Sequence, residues 1–416
     1  SHAFGFGTDP TVPPSKDSLR RLQSEWRDIW VLVIDEVSTW SCNWLYETDK
    51  RAKLIKGNEI FMGGLSLILS GDFHQCFPVQ ATPLFRLPKA KASQEVRLGR
   101  ALWVEYITET AFLTEVMRQR DEKEWAELLC RLRNNSCTAQ DVLFLENLAK
   151  RSRVNLNDPN WSSATCLSYE NKVCHALSER CANRDAALAG TPLIIWNATY
   201  QQNGSPVAST DKLRRAASRN GGPHAFHYAH NMPVMLLNNK LCGAESVQMG
   251  LANGVQGRAI GLVFDPREPP QPQDAQQITL HYLPLGMFVY VPTATVNPLP
   301  SLVPEVLAAA NNDPSKIIFV EPTACTLLKV SAQRIQFPVS PAYALTIHKS
   351  QGINISNLIA DPITRMPPKE HHNLAYVMLS RVRTSAGLAF LGPLPLGWLT
   401  HEPDPDLVVE EKRLMT

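Results

Sequence analysis

Near the start of this 416-residue chain, two apolar runs stop abruptly in polar residues. Val31-Leu-Val-Ile34 ends in Asp35 and Glu36. Leu65-Ser-Leu-Ile-Leu-Ser70 follows Gly63-Gly64 and ends in Gly71-Asp-Phe-His-Gln75. Each run has the length of a strand and is too short for a helix. The first reads as a strand buried on both faces, and the pair as neighbours in one parallel sheet. Residues 121–135 change period: Trp125, Leu128, Leu129 and Leu132 repeat as one helical face. Thr138 with Asp141 predicts a capping box that opens a further helix through Leu148. Asn155 to Ser163, with Pro159, is a polar break that suits a domain boundary. A second α/β unit begins at Ala164-Thr-Cys-Leu-Ser168. Residues 201–231 are polar and Gly-rich and read as a solvated loop that carries Lys212, Arg214, Arg215 and Arg219. From Gly257 to Pro338, short apolar pieces between Pro-rich breaks predict a small all-β insert. Helical pattern and a last strand, Leu388–Leu391, return the chain to α/β.

The strand ends carry the chemistry. Open α/β sheets place ligands at the carboxyl ends of their strands. Asp35 there can hold Mg²⁺, and Glu36 beside it can orient an attacking water. This is the acidic half of a nucleoside triphosphatase site, the Walker B element. Gln75, at the second strand end, can report on a γ-phosphate or position a water. One such end occurs by chance; two, about forty residues apart, are harder to dismiss. Arg118 closes Phe112-Leu-Thr-Glu-Val-Met-Arg-Gln119 and offers a planar fork of charge to a phosphate. Taken alone, a surface ion pair explains it better. Ala342-Tyr-Ala-Leu-Thr-Ile-His-Lys-Ser-Gln-Gly352 packs a hydroxyl, an imidazole, an ammonium, an amide and a glycine between Thr346 and Gly352. Those groups suit a phosphodiester backbone or a nucleotide phosphate. In Tyr376-Val-Met-Leu-Ser-Arg-Val382, the apolar residues seat the segment in a core and Arg381 projects outward as a second finger.

Composition changes this picture little. The chain carries 41 basic and 39 acidic residues, a net charge of +2, so any nucleic-acid groove has to be local. A hydrophobic content of 44% describes a globular protein. No apolar run approaches the roughly 18 residues of a membrane span, so no membrane partner is expected. The nine cysteines form no C-x-x-C pair and read as reduced thiols. His224, His227 and His230 sit three apart. A metal site is one reading and a surface loop the preferred one. No Gly-Lys dipeptide occurs, so the Gly-rich phosphate loop that completes a triphosphatase site is missing. With no initiator Met, the chain reads as a piece of something longer.

In this order, the blocks resemble the Pif1-type superfamily 1B DNA helicases. Val33-Ile-Asp-Glu-Val-Ser38 is similar to the family's Walker B motif. Leu69-Ser-Gly-Asp-Phe-His-Gln75, with Pro78-Val79, is similar to its motif III. Leu113-Thr-Glu-Val-Met-Arg-Gln119 resembles motif IV, Ala344 to Gly352 motif V, and Tyr376 to Val382 motif VI. Ser1-His-Ala-Phe4 resembles the tail of motif Ia, and Asn253-Gly254, after Val234-Met-Leu-Leu237, another family block. The matches run from residue 1 to about residue 391.

The resemblance implies an α/β fold of tandem RecA-like P-loop NTPase domains with a small SH3-like β insert. Residues 1–158 would form domain 1A, without the Walker A strand and loop. Residues 159–257 and 338–416 would form domain 2A, and 258–337 the SH3-like 2B insert. It implies that Asp35 holds Mg²⁺, Glu36 activates water and Gln75 senses the γ-phosphate of ATP. Arg118 and Arg381 would be fingers across the cleft between the two RecA-like domains. Gln351 and Gly352 would lie near the nucleotide. Ser1, His2, Phe4, Pro78, Thr346, His348 and Lys349 would serve DNA. The implied activity is ATP-dependent 5′–3′ unwinding in DNA repair, recombination and telomere maintenance. Its partners would be single-stranded and duplex or forked DNA, with a monomer working in the nucleus or the mitochondrion. The chain begins inside motif Ia, its wedge region is short, and Met378 stands where the family has small residues. A truncated or degenerate relic, from a transposon for example, that at most binds DNA is the alternative. A small-molecule kinase would explain the Walker B strand but not motif V.

Overall fold

A computed structural model describes residues 11–151, 158–218, 223–239, 241, 243, 246–272, 274–327, 330–362, 370–400 and 402–416. Ser1, His2 and Phe4 lie outside the described residues. The chain divides into two compact units. The first holds residues 1–153, 350–356 and 365–416; the second holds 154–349 and 357–364.

The first unit runs α1 (Lys16–Glu25), β1 (Val31–Ile34), α2 (Cys42–Lys56), β2 (Ser66–Leu69), α3 (Gln94–Tyr106), α4 (Lys123–Arg133) and α5 (Ala139–Arg151). β1 and β2 pair in parallel, Val31 opposite Ser66 and Ile34 opposite Leu69, as their pattern predicts. Their burial departs from expectation. Val31, Val33 and Ile68 are 48%, 62% and 54% exposed. One face of the sheet is covered by α2 and α3 through Leu45, Ala52 and Trp103, while the other carries its apolar side chains in the open. A run of four apolar residues shows that a strand forms; what covers each face depends on other elements.

Local chemistry sets the helices. Ser41 caps α2 by accepting from the Trp44 amide at 3.2 Å, and Gly57, at φ +68°, closes it. α3 crosses α2 so closely that a Cβ on Gly99 would lie 1.8 Å from the Cys42 carbonyl oxygen. α4 buries the four residues of its predicted stripe. The capping box of α5 is reciprocal. The Asp141 amide donates to Thr138 Oγ1 at 3.2 Å, and the Thr138 amide donates to Asp141 Oδ2 at 2.8 Å.

The second unit opens with the short helix α6 (Pro159–Ser162), β3 (Thr165–Ser168) and α7 (Asn171–Ala189). Then come β4 (Leu193–Asn197), β5 (Thr199–Gln202), β6 (Ser205–Val207), α8 (Asp211–Ser218) and β7 (Ala225–Tyr228). β8 (Met232–Leu236), β9 (Gln256–Val263), β10 (Gln277–Thr279), β11 (Gly286–Tyr290) and α9 (Pro304–Ala309) follow. The unit continues through β12 (Ile317–Val320), β13 (Thr323–Leu327), β14 (Ala332–Gln336), β15 (Val339–Pro341), β16 (Ala344–Thr346) and β17 (Leu358–Ala360). α10 (His371–Leu379), β18 (Leu388–Phe390) and α11 (Pro405–Met415) belong to the first unit.

β3 lies between β16 and β17, parallel to both, and its inner residues are buried. The strand-rich stretch 258–337 does not stand alone. β9, β11 and β12 share a five-stranded sheet with β8 and β15, β10 pairs with β4, and β14 pairs with β5. The core of this unit gathers around Trp196, stacked on Phe226 at 4.8 Å. The solvated loop expected over 201–231 is instead built structure: β6, α8 and β7, with Leu213 and Ala217 of α8 packed under Tyr200. Only the charged side of α8 matches the polar reading, because a short amphipathic helix buries few residues.

Candidate nucleotide site

β1 and β2 end side by side, which brings the Asp35-Glu36 and Gly71–Gln75 turns together. The Val37 amide donates to the Ser70 carbonyl at 2.9 Å, and a Cβ on Gly71 (φ +153°) would lie 2.7 Å from that same amide nitrogen. The turn after β2 therefore needs glycine. Glu36 adopts a left-handed backbone, φ +54°, uncommon for a non-glycine residue and typical of functional turns. Its amide is held by Asp35 Oδ1 at 2.9 Å, and its carbonyl accepts from Thr39 Oγ1 at 2.8 Å. Asp35 is exposed at the strand end.

One distant segment of the same unit, Gln351-Gly352, reaches this pair, and Arg118 and Arg381 bond to the stretch that carries it. Gln351 Nε2 donates to Glu36 Oε2 at 2.6 Å and to Ser38 Oγ at 3.3 Å. Gly352, at φ +78°, lies beside Glu36: a Cβ there would stand in ordinary contact, 3.5 Å from Oε1. Arg118 Nε donates to Asn354 Oδ1 at 2.6 Å and its Nη1 to the Ser380 carbonyl at 3.1 Å. Gln119, buried, bridges the carbonyls of Ser380 and Val382 at 3.1 and 2.8 Å. Arg381 donates to Val377 O at 2.8 Å, Ser380 Oγ at 2.8 Å and Ser350 O at 3.4 Å.

Arg381 thus corrects the expectation that it projects outward: it is 2% exposed. α10 is buried nearly all round, His372 and Asn373 included, so the residue at its end is drawn in with it, and two carbonyls and the Ser380 hydroxyl take its donors. Burial, then the charge of Arg118, pushes its guanidinium down to about 10. Arg118 is lowered too, first by burial, with Tyr376 and Glu36 opposing. Burial drives the Cys76 thiol up to about 12. The side-chain Oε1 atoms of Gln75 and Gln351 are buried without a hydrogen-bond partner. Such orphan acceptors call for a water or ligand donor. Among the described residues no group of three His, Cys, Asp or Glu could cage a metal. Mg²⁺ needs no such cage: it binds one or two carboxylates plus substrate phosphates and water, and the exposed carboxylate of Asp35 at the strand end suits that donor set.

The remaining assigned residues are placed elsewhere. Pro78 is half-buried in the first unit, just past the Gln75 turn. Thr346, His348 and Lys349 lie in the second unit. Thr346 ends β16 buried, and the His348 ring is 5.8 Å from Tyr169. Burial lowers His348 and Lys349; burial, with Lys349 and Arg334, lowers His175 to about 4. His224 contacts Tyr200 Oη at 3.3 Å and His227 approaches Glu179 at 3.6 Å, so these two histidines each have a partner within the second unit. Gln119 and Asn354 were missed in the sequence. Gln119 was legible as the neighbour of Arg118; Asn354 gave no signal.

Residues 14–141 match the family model described as PIF1-like helicase. Along 96% of its length, the chain is 26% identical to the ATP-dependent DNA helicase PIF1 of Emericella nidulans. This chain resembles the Pif1 helicases nearly end to end. It spans about half, 52%, of that relative's length. The crystal structure of Pif1 helicase from Candida albicans superposes with a TM-score of 0.67 at 19% identity, over 99% of this chain and 83% of that one. Bacteroides Pif1, solved with ADP-AlF3 and single-stranded DNA, gives 0.63 at 18% identity, over 99% and 82%. The fold is therefore the one these Pif1 helicases share: mixed α/β, with tandem RecA-like domains and parallel sheets flanked by helices.

Proposed function

We propose that this chain is part of a Pif1-type, ATP-dependent 5′–3′ DNA helicase that acts as a monomer on single-stranded and forked duplex DNA in genome maintenance. The observation that carries the reading is the 2.6 Å bond from Gln351 to Glu36, which ties the motif V block to the Walker B carboxylate. Glu36 serves as the base that takes a proton from water, and Gln351 fixes its carboxylate. The orphan Oε1 of Gln75 accepts from that water, placing it for attack. Arg118 and Arg381 bring positive charge to the developing phosphate charge, Arg381 from behind its carbonyl cage. Asp35 would hold Mg²⁺, which when bound neutralises phosphate charge. Gly352 keeps the backbone close enough to Glu36 to line the nucleotide.

Ser1, His2, Phe4, Pro78, Thr346, His348 and Lys349 are assigned to single-stranded DNA, whose backbone and stacked bases tolerate any sequence. Residues 1–158 are assigned to domain 1A, 159–257 with 338–416 to domain 2A, and 258–337 to an SH3-like 2B insert; these are boundaries of the sequence blocks, and they differ from the compact units, in which 350–356 and 365–416 group with 1–153. The nucleus, or else the mitochondrion, is the working compartment.

A second reading is a relic that at most binds DNA. Sequencing the coding region upstream of Ser1 decides between them. A Gly-x-x-x-x-Gly-Lys-Ser/Thr run after a strand, with DNA-stimulated ATP hydrolysis that Glu36→Gln abolishes, supports the helicase. Its absence supports the relic. The 416-residue polypeptide alone is expected to show no DNA-stimulated turnover above its Glu36→Gln variant. In either reading, single-stranded DNA binding falls steeply with salt.

A further inference from the structure

We infer that Glu411, on the C-terminal helix α11, is a positioning residue that sets the Gln75 turn through His74. The inference rests on the role of Gln75 proposed above. The turn after β2 is gripped at two consecutive polar positions. Arg133 of α4 holds Asp72 with two donors, Nε to Oδ2 at 3.0 Å and Nη2 to Oδ1 at 2.8 Å. Asp72 folds the turn in the same act: its Oδ1 accepts from the His74 amide at 3.0 Å and its carbonyl from the Gln75 amide at 2.9 Å. His74, buried, then meets Glu411 Oε1 through Nε2 at 2.8 Å. Glu411 also lies 3.8 Å from Arg133 Nη2, so Asp72, Arg133, Glu411 and His74 close a ring around the residues that lead into Gln75.

α11 is anchored independently of this ring. Glu410, buried, accepts from Arg100 and from Trp103 Nε1, both at 2.6 Å, and from Arg413 Nη2 at 2.7 Å. Asp404 caps the helix through the Asp406 amide and pairs with Arg86. Leu407 packs into the core that holds Phe73 and Trp103. A cavity of about 410 Å³, lined by His74, Arg86, His372 and the start of α11, lies beside the ring. That space lets His74 leave its position when Glu411 is lost, because packing alone does not fill the site. A helix near the end of the sequence thereby sets the geometry of a residue that follows β2.

The test is NMR on the whole 416-residue chain. The Gln75 side-chain amide resonance is assigned by its loss in Gln75→Glu, and amide exchange is followed at residues 72–76 and along α11. Glu411→Gln keeps size and removes charge. It is expected to shift the Gln75 resonance and to speed exchange at 72–76 about tenfold, the scale of a lost charge-assisted hydrogen bond, with α11 changing less than about twofold. An unmoved Gln75 resonance overturns the inference. So does exchange that rises equally along α11, since that would mean the helix had merely loosened. Glu36→Gln separates the underlying reading. If Glu36→Gln leaves Gln75 unmoved while Glu411→Gln moves it, the positioning holds and the shared site with Glu36 fails. The reverse pattern sinks the positioning and keeps the site.

Discussion

β1–β2 in the first unit and β16–β3–β17 in the second are both short parallel sets that end in polar residues, yet they are buried in opposite ways. Leu345, in the middle of β16, is 1% exposed; Val33, in the middle of β1, is 62% exposed. The sequences do not foretell this. Val-Leu-Val-Ile is the more apolar run, and Ala-Leu-Thr is the more buried. A strand is buried by what lies over each face. α7 packs against β3 and β16, while the outer side of β1 and β2 keeps Val31, Val33 and Ile68 open. Apolar content measures what a strand could bury, and coverage fixes what it does bury.

Four substitutions would break or sharpen that contrast, read by native-state hydrogen exchange so that each unit reports separately. Leu345→Ala should cost the second unit about 2–5 kcal/mol, the range for a buried leucine truncated in a close-packed core. A cost below about 1 kcal/mol would mean that this strand is no better packed than β1. Gln351→Ala removes the donor to the Glu36 carboxylate and should cost the first unit about 1.5–3 kcal/mol, as bonds to charged groups do. Unchanged protection of 35–38 would dissolve the proposed site. Thr138→Ala should cost about 1 kcal/mol through loss of the α5 cap.

The Thr138→Ala variant should also alter the acid limb. Asp141 is held at about 2, below the usual carboxylate value, first by Arg131 and then by the Thr138 amide and hydroxyl. Because its folded pKa is depressed, its contribution is complete above the unfolded value near pH 3.8 and is lost as pH falls toward about 2. A variant without the hydroxyl should lose stability less steeply across that window. An acid limb identical to the parent's would contradict the capping role. The smallest effect is expected from Val33→Ser. On an exposed face it should stay within about 0.5 kcal/mol. A cost like that of Leu345→Ala would show that the face is covered in solution.

Much of the architecture was legible. The two strand ends, the α4 stripe of Trp125, Leu128, Leu129 and Leu132, and the Thr138–Asp141 box depend on neighbours within a few residues. Periodicity and capping encode such features directly. α8 was not legible, because eight residues in which Leu213 and Ala217 are buried carry too little pattern to stand out from a polar loop. The inward turn of Arg381 was not legible either, since it depends on carbonyls at Ser350 and Val377 that no local rule places.

The sequence by itself determined which residues end the first two strands, where helices start and which chemical groups are available: Asp35, Glu36, Gln75, Arg118, Gln351 and Arg381. Only the tertiary structure decided their use. It brought Gln351 within 2.6 Å of Glu36 across 315 positions, and Glu411 within 2.8 Å of His74 across 337. It also left one face of β1 and β2 open. The physical reason is the same in each case. Secondary structure follows from local sterics and hydrogen bonding, whereas burial and charge pairing depend on which distant segment the packed core brings alongside.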